Sequence, residues 1–591
     1  MCGVLVIYSK KKSLNKKKCL IAAKEIYNRG PDHFKSSFYR DSRLFISNTV
    51  LSIIASSNKS SKKPTQSSNK NFVISFNGEI YNYKLLKKKY LDYSKFQKKM
   101  NDTEVLINLY QRLEHQRVPK VLNGMFAYVV YDKLKDKLII VNDTQGEKNL
   151  YVYEDEEYFI VSSTIKSIQK FLSRLNLNSN VLANYFHTRH FMPLDETCFK
   201  NINLLSSSSN NIFNLKNAKF FKKKFDFPYN LISKKLYSKF SKMKESEVIS
   251  YFEKSLINQA KLMIPDKKFG CIISGGIDST LQAAIINKIK TSKINLCIDH
   301  KNKDPIMKFI ERFNIYFKNK INKIKFGKQN YKQLIKKCYK IVSSPLQTHD
   351  LPSRLKLSDY FKKRGCKVFF SADGCDELLG GQQIYNEIFS KKFNFQNNIS
   401  PYSSILKSQV EILDKSSNKK LLFKFNKFWR KTLNSYSFIK DKKERNIQSS
   451  LFLDYFMQAT NVGNRSNDLV CCDNSVEPRN IFIQKNILKI IFNLPLKYKI
   501  NFNSMDEKFV QKYILKKLFA KYFDKKLIFS KSGFSGFPNS IKLNKKSAKK
   551  RISKFLNLKF KNRSRNYDKK NISRDLNWKI INTENFLNEF K

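Results

Sequence analysis

Phe269-Gly270-Cys271-Ile272-Ile273-Ser274-Gly275-Gly276-Ile277-Asp278-Ser279-Thr280 decides how the second half of the chain folds. The short apolar run reads as a buried strand, two glycines turn the backbone, and residues 281–290 continue as a helical pattern. Strand, Gly-rich turn and helix N-terminus together make an anion site, where backbone N–H groups and the helix dipole face a phosphate. Ser279 and Thr280 add hydroxyl donors, and the Asp278 carboxylate can hold a divalent cation. A GxxxxGK[ST] pattern is absent, so this is not a Walker loop. A second αβ unit ends in the run 366–370. It is followed by Ser371-Ala372-Asp373-Gly374-Cys375-Asp376-Glu377-Leu378-Leu379-Gly380-Gly381. A carboxylate trio at the carboxyl end of a strand is where an open α/β sheet binds ligands.

The glycines point the same way. The chain has 16 among 591 residues, far below the roughly 7% of average proteins. A Gly-poor chain keeps glycine where the backbone needs positive φ or where a ligand approaches closely. Half of them fall in a few short stretches, at Gly3, Gly30, Gly78, Gly275, Gly276, Gly374, Gly380 and Gly381.

Working toward the N-terminus, short apolar or alternating runs dominate the first 170 residues, at 3–8, 44–54, 72–76, 125–131, 137–141 and 158–162. Helical patterns lie between them at 18–28 and 103–113. That order predicts an α+β layered domain with substantial antiparallel sheet. Cys2 stands out by position. Removal of Met1 would leave it with a free α-amine of pKa near ~7.7–8.0, able to act as base for its own thiol. Near it in sequence are a tight Gly-Pro turn, Asn28-Arg29-Gly30-Pro31-Asp32-His33, and the strand end Phe76-Asn77-Gly78-Glu79-Ile80-Tyr81-Asn82-Tyr83. Asn101-Asp102-Thr103-Glu104 opens a helix, with Asp102 placed as its N-cap.

Composition excludes other classes. The formal net charge is +66, from 114 basic and 48 acidic residues, which first suggests a nucleic-acid or anionic-surface partner. Only 18 of the basic residues are Arg, whereas base-edge and phosphate-fork recognition favours Arg. The lysines run the whole length and form no single arm, so a charged surface with no nucleic-acid partner is expected. An apolar share of 41% can fill real cores. No stretch approaches the roughly 18 apolar residues of a membrane helix, and the first residues lack the order of a secretory signal. The expectation is a cytoplasmic protein without a membrane partner. Ten cysteines form no CxxC pair and no zinc spacing, and most read as small buried residues.

These motifs, from Cys2 to about Phe537, resemble asparagine synthetase: a class II glutamine amidotransferase domain followed by a PP-loop synthetase domain. The carrying residues are Cys2, the RGPD of 29–32, the NGEIYN of 77–82, Asp102, the SGGIDST of 274–280 and the SADGCDELLGG of 371–381. Ser475-Val476-Glu477-Pro478-Arg479 matches the SxExR of that family. The fold class it implies is an N-terminal α+β sandwich of the N-terminal nucleophile hydrolase type. An α/β PP-loop domain of the adenine nucleotide α-hydrolase-like kind follows, with a helical C-terminal part. The expected division is 1–210 glutaminase, 211–240 linker, 241–540 synthetase and 541–591 a basic helical extension.

The resemblance also implies roles. Cys2 attacks the glutamine amide, Asn77 and the Gly78 N–H form the oxyanion hole, and Glu79 and Asp102 take the glutamine α-amino group. Val50 stands where the family has the Arg that holds the glutamine α-carboxylate; Arg43 and Arg40 are the nearby arginines in sequence. In the second half, Ile272, Ile298, Ser371 and Ala372 line the adenine and ribose pocket. Ser274, Gly275, Gly276, Asp278, Ser279, Thr280 and Lys531 take the pyrophosphate of ATP. Asp278 and Asp376 hold Mg²⁺, and Asp373 is the candidate base for attacking ammonia. The implied reaction amidates aspartate with ammonia from glutamine through an acyl-adenylate, releasing AMP and pyrophosphate. Its partners are small molecules, and a homodimer is compatible with it. Two alternatives stay open: an amidotransferase acting on another carboxylate, favoured by Gln382 in place of a family Tyr and by Ile481-Phe482-Ile483-Gln484, and a degenerate nucleotide-binding homologue without turnover.

Overall fold

In a computed structural model, the described residues are 2–54, 62–91, 100–187, 195–222, 228–299, 310–382, 410–412, 415–506, 510–528, 545–560 and 569–590. Lys531 and the stretch around it lie outside them.

Strict alternation builds the first half. In β1 (Cys2–Ser9) the even-numbered Val4, Val6 and Tyr8 enter one apolar cluster and the odd-numbered Leu5 and Ile7 another, as a strand with two buried faces requires. One six-stranded antiparallel sheet has the order β10-β8-β9-β1-β3-β2. It contains β2 (His33–Tyr39), β3 (Leu44–Val50), β8 (Tyr151–Glu154), β9 (Tyr158–Ser162) and β10 (Ile202–Leu204). The second has the order β12-β11-β7-β6-β5-β4. Its strands are β4 (Thr65–Gln66), β5 (Phe72–Ile80), β6 (Gly124–Asp132), β7 (Lys137–Asn142), β11 (Ser209–Asn214) and β12 (Lys219–Phe221). Val4, Val6, Leu44 and Ile46 from the first meet Val73, Val129 and Ile140 from the second, so the sheets pack face to face. Helices Lys16–Lys24 and Ile165–Leu172 cover one outer face, and Tyr83–Tyr90 and Asp102–Leu109 the other. The result is four layers, helix–sheet–sheet–helix.

The linker expected over 211–240 begins later than the sequence suggested. Residues 209–214 pair with β7, and 219–221 extend the sheet further. The Ser- and Asn-rich lead into β11 masked a strand whose Phe213 faces the inter-sheet core.

The second half holds a parallel five-stranded sheet in the order β15-β14-β13-β16-β18. Its strands are β13 (Phe269–Ile272), β14 (Ile294–Asp299), β15 (Ile321–Lys325), β16 (Val368–Phe370) and β18 (Glu477–Arg479). Strand order departs from β13 in both directions, so the crevice past the carboxyl ends of β13 and β16 is the topological switch point. The Gly-rich turn 274–276 and the acidic turn 371–377 both open into it. Helices Glu245–Met263 and Ile277–Ile289 fall where the apolar periodicity placed them.

The C-terminal helix Lys569–Phe590 is more than a basic extension. Trp578, Ile580, Phe586 and Leu587 are buried in a cluster shared by both halves. Tyr339 Oη donates to Asn582 Oδ1 at 2.7 Å, and Phe586 and Phe590 meet Phe199.

Candidate functional site

The N-terminal site sits at one end of the sandwich. Cys2 pairs in register with Val50, and Asn77 lies on the face of β5 that looks into the inter-sheet gap. The backbone N of Cys2 donates to Asn77 Oδ1 at 3.0 Å, while Arg29 Nε donates to the Cys2 carbonyl at 3.2 Å. The Cys2 residue is buried, and that burial pushes its thiol up from the ordinary cysteine value. Asn77 is wholly buried and its Nδ2 has no hydrogen-bond partner among the described residues. A buried amide donor left unsatisfied on the residue that holds the Cys2 nitrogen is a standing offer to an oxygen that develops negative charge. Gly78 follows with φ +143°, and a Cβ there would lie 2.0 Å from the Met125 carbonyl oxygen. No other residue fits.

Cys2 opens onto a cleft of about 670 Å³, whose walls include Lys35, Val50, Gly78, Glu79 and Asp102. Asp102 accepts from the Ile80 N–H at 3.0 Å and from the Thr103 N–H at 2.9 Å. Burial pushes its carboxyl up to about 6. It is not the helix cap; Asn101 is, through a reciprocal pair with Glu104. Glu79 also touches the cleft, yet its carboxylate is held by Arg479 of the second half. The α-amino role expected for Glu79 therefore competes with an ion pair already in place.

Neither arginine offered as a stand-in for the family Arg reaches the cleft wall. Arg43 donates to the Ser9 carbonyl at 3.2 Å and lies 5.5 Å from the centre of the Tyr8 ring, while Arg40 pairs with Asp136 at 2.9 Å. Val50 lines the cleft and can offer it only apolar contact.

The second site lies at the switch point. Ser279 Oγ accepts from the Ser274 N–H at 3.1 Å, and the two hydroxyls lie 2.8 Å apart, which folds the turn over the start of the helix. Ser274, Gly275, Gly276, Asp278, Ser279 and Thr280 are thus gathered at one helix N-terminus. Ile272 and Ile298 are buried next to it at the ends of β13 and β14, with Ser371 just past β16; Ala372 is partly buried against the core.

Lys512, which the sequence reading left unassigned, places its ammonium 2.6 Å from Asp278 and 2.5 Å from Asp376. Burial opposes the charge of Lys512, and the two carboxylates outweigh it, holding its value well above the ordinary one. The approach is close enough that a Cβ on Gly381 would lie 2.1 Å from Lys512 Cε. Among the described residues no group of three or more metal-ligating side chains is gathered. Asp278 and Asp376 nevertheless converge on one cation, the ammonium standing where a metal ion could.

Asp373 is occupied differently from its expected role as a base. Arg354 holds it through both oxygens at 3.0 and 2.7 Å, with Asn467 Nδ2 at 2.9 Å and Ser371 Oγ at 3.1 Å. Four donors on one carboxylate occupy lone pairs that a base would need. Arg354 and Asn467 are far away in sequence, so no motif could announce them.

A polar cavity of about 300 Å³ lies between the halves, lined by Glu147, Lys148, Asp373, Asn467, Arg479 and Asn480. Two ion clusters flank it. Arg29 and Lys148 converge on Asp468 at 2.6 and 3.0 Å, and Arg479 joins Glu477 at 2.8 Å as well as Glu79. Burial works against the Asp468 carboxylate, but its two cations overcome that and hold it below the usual range. Glu147 accepts from Gln484 Nε2 at 3.0 Å, and burial with the neighbouring Asp143 pushes it up to about 8. Unfolded, it titrates near ~4.3. A carboxyl raised in the folded state stabilises fully below the unfolded value and loses that contribution as pH rises through the folded value. Between about pH 6 and about pH 8.5 the wild type is therefore expected to lose more melting temperature than Glu147→Gln, read by thermal unfolding.

No helix among the described residues is long and apolar enough to cross a membrane. Residues 1–226 match a family model described as a glutamine amidotransferase domain, and residues 253–577 match one described as asparagine synthase. An asparagine synthetase-type protein of Methanocaldococcus jannaschii is 27% identical over 65% of this chain and 76% of its own. The glutamine-hydrolysing asparagine synthetase 1 of Bacillus subtilis is 25% identical over 62% of this chain and 56% of its own. That of Gallus gallus is 24% identical, over 66% of this chain and 68% of its own. With over half of its length matched by the second model and the glutamine amidotransferase domain before it, the chain belongs to the asparagine synthase family.

Proposed function

We propose that the protein amidates aspartate to asparagine with ammonia drawn from glutamine, at the expense of ATP. The observation that carries this reading is the pairing of Cys2 N with Asn77 Oδ1 while Asn77 Nδ2 stays unsatisfied among the described residues. Once Met1 is removed, that nitrogen becomes an α-amine able to take the thiol proton. The thiolate attacks the side-chain amide carbon of glutamine. Asn77 Nδ2 and the Gly78 N–H stabilise the oxyanion, a contribution of about 3–4 kcal/mol per donor in comparable sites. The amine returns its proton to the departing nitrogen, and ammonia leaves a thioester that water hydrolyses to glutamate.

Ammonia then reaches the switch-point crevice through the polar cavity between the halves. There the Gly-rich turn and the start of the helix Ile277–Ile289 face the phosphates of ATP. The acceptor carboxylate attacks the α-phosphorus, pyrophosphate departs, and ammonia displaces AMP from the acyl-adenylate. Asp278 and Asp376 would hold Mg²⁺, which supplies charge neutralisation for the departing pyrophosphate when bound. The Lys512 ammonium, held at the same two carboxylates, would add positive charge on that side of the phosphates.

The acceptor is the element most open to change. Gln382 contacts Glu377, where the family has a Tyr, which favours another carboxylate as a second reading. Pyrophosphate release from ATP, measured across a panel of carboxylates with glutamine or ammonium, decides. Release with aspartate alone supports the first reading, release with another acid moves the acceptor, and no release under any condition overturns both.

A further inference from the structure

One cation on the wall of the Cys2 cleft has no hydrogen-bond or ion-pair partner among the described residues. Lys35 lies on β2, opposite Asn48 of β3, and Val50 two residues further along β3 lies opposite Cys2. Paired residues of antiparallel strands share a face, as do residues two apart. Cys2, Val50, Asn48 and Lys35 therefore all project into the gap between the sheets. Lys35 is only 7% exposed and lines the cleft. Its ammonium makes no hydrogen bond or ion pair with any described residue; Glu104 and the Cys2 thiol are the groups that favour its charge, against burial.

An unpaired buried ammonium is unfavourable unless something else supplies the anion. On the same cleft the Asp102 carboxylate accepts only backbone N–H groups. On the cleft that Cys2 lines, a cation and a carboxylate, neither of them ion-paired to a side chain among the described residues, complement a ligand that carries both charges. An α-amino acid does so.

We propose that Lys35 binds the α-carboxylate of the glutamine that Cys2 attacks, with Asp102 taking the α-ammonium. This rests on reading the cleft as a glutaminase site. A lysine gives a point charge rather than an arginine fork, so recognition here depends on charge more than on planar geometry.

The test uses the full chain and compares glutamine with glutaminamide, in which the α-carboxylate is replaced by a neutral amide. Wild type is expected to prefer glutamine. Lys35→Met, which keeps the apolar stem, and Lys35→Ala are expected to raise the glutamine KM roughly 10- to 100-fold with little change in kcat, and to erase the preference over glutaminamide. Alkylation of Cys2 by iodoacetamide, which has no α-carboxylate, reports whether the thiol and fold survive substitution. Alkylation by a diazoketone analogue of glutamine should slow in both variants by the same factor as KM rises. A wild type that hydrolyses both amides equally well, or variants with the wild-type glutamine KM, overturns the role of Lys35 alone. A wild type that hydrolyses no glutamine and resists the diazoketone overturns the glutaminase reading, and the role of Lys35 with it.

Discussion

Cys2→Ala is expected to lower glutamine-dependent product formation by roughly 10³-fold or more while ammonium still supports synthesis. The size follows from what is removed: the thiol that attacks the amide is lost, and the α-amine that remains has no nucleophile to activate. The substitution is small for the fold. The register of β1 is fixed by Val4, Leu5, Val6 and Ile7, all fully buried, and the Cys2 backbone N would still donate to Asn77. The crevice proposed for ATP lies at the end of another sheet, past β13 and β16, and is built from other residues. Pyrophosphate release with ammonium, assayed next to release with glutamine, separates the two sites. Glutamine-dependent synthesis that survives the substitution would show that Cys2 is not the nucleophile.

How much of this was legible in the sequence depends on how far the partners lie apart along it. The Gly-rich turn after β13 could be read because strand, turn and helix are consecutive, and each signal is local. The meeting of Cys2 with Asn77 came from motif resemblance, and alternation along β1 and β5 would have placed each on the face its sheet turns to the other. Contacts between residues far apart along the chain left no local trace. Lys512 reaches Asp278 across 234 residues and Arg479 reaches Glu79 across 400. In a chain with 96 lysines, Lys35 and Lys512 looked like two more surface charges. The polar lead into β11 hid a strand for a similar reason, since Ser and Asn read as turn and only register against β7 reveals the pairing. The cap at Asn101 was missed because Asp and Asn serve that position equally well.

Arg479→Met tests the longest of those contacts, and its effect should be on stability. Arg479 is almost wholly buried between Glu79 and Glu477, and Glu477 is fully buried. Removing the guanidinium leaves two buried carboxylates without their shared cation, with an expected loss of about 3–5 kcal/mol. The sign of the pH dependence follows from the same pair. In the wild type, Arg479 overcomes burial and holds Glu477 below its ordinary range, so this group stabilises above its unfolded value and loses that contribution as pH falls. In the variant, burial acts unopposed, raising Glu477 and raising further the Glu79 carboxyl that burial already pushes up to about 8 in the wild type, so the penalty is small where both are protonated and grows as pH rises. The melting temperatures of wild type and variant should therefore lie closer at about pH 5 than at about pH 8. Adding Glu477→Gln to Arg479→Met should recover part of the loss by removing one buried charge. Equal melting at both pH values would mean that the junction is wet enough to solvate the acids, and that Arg479 does not join the two halves energetically.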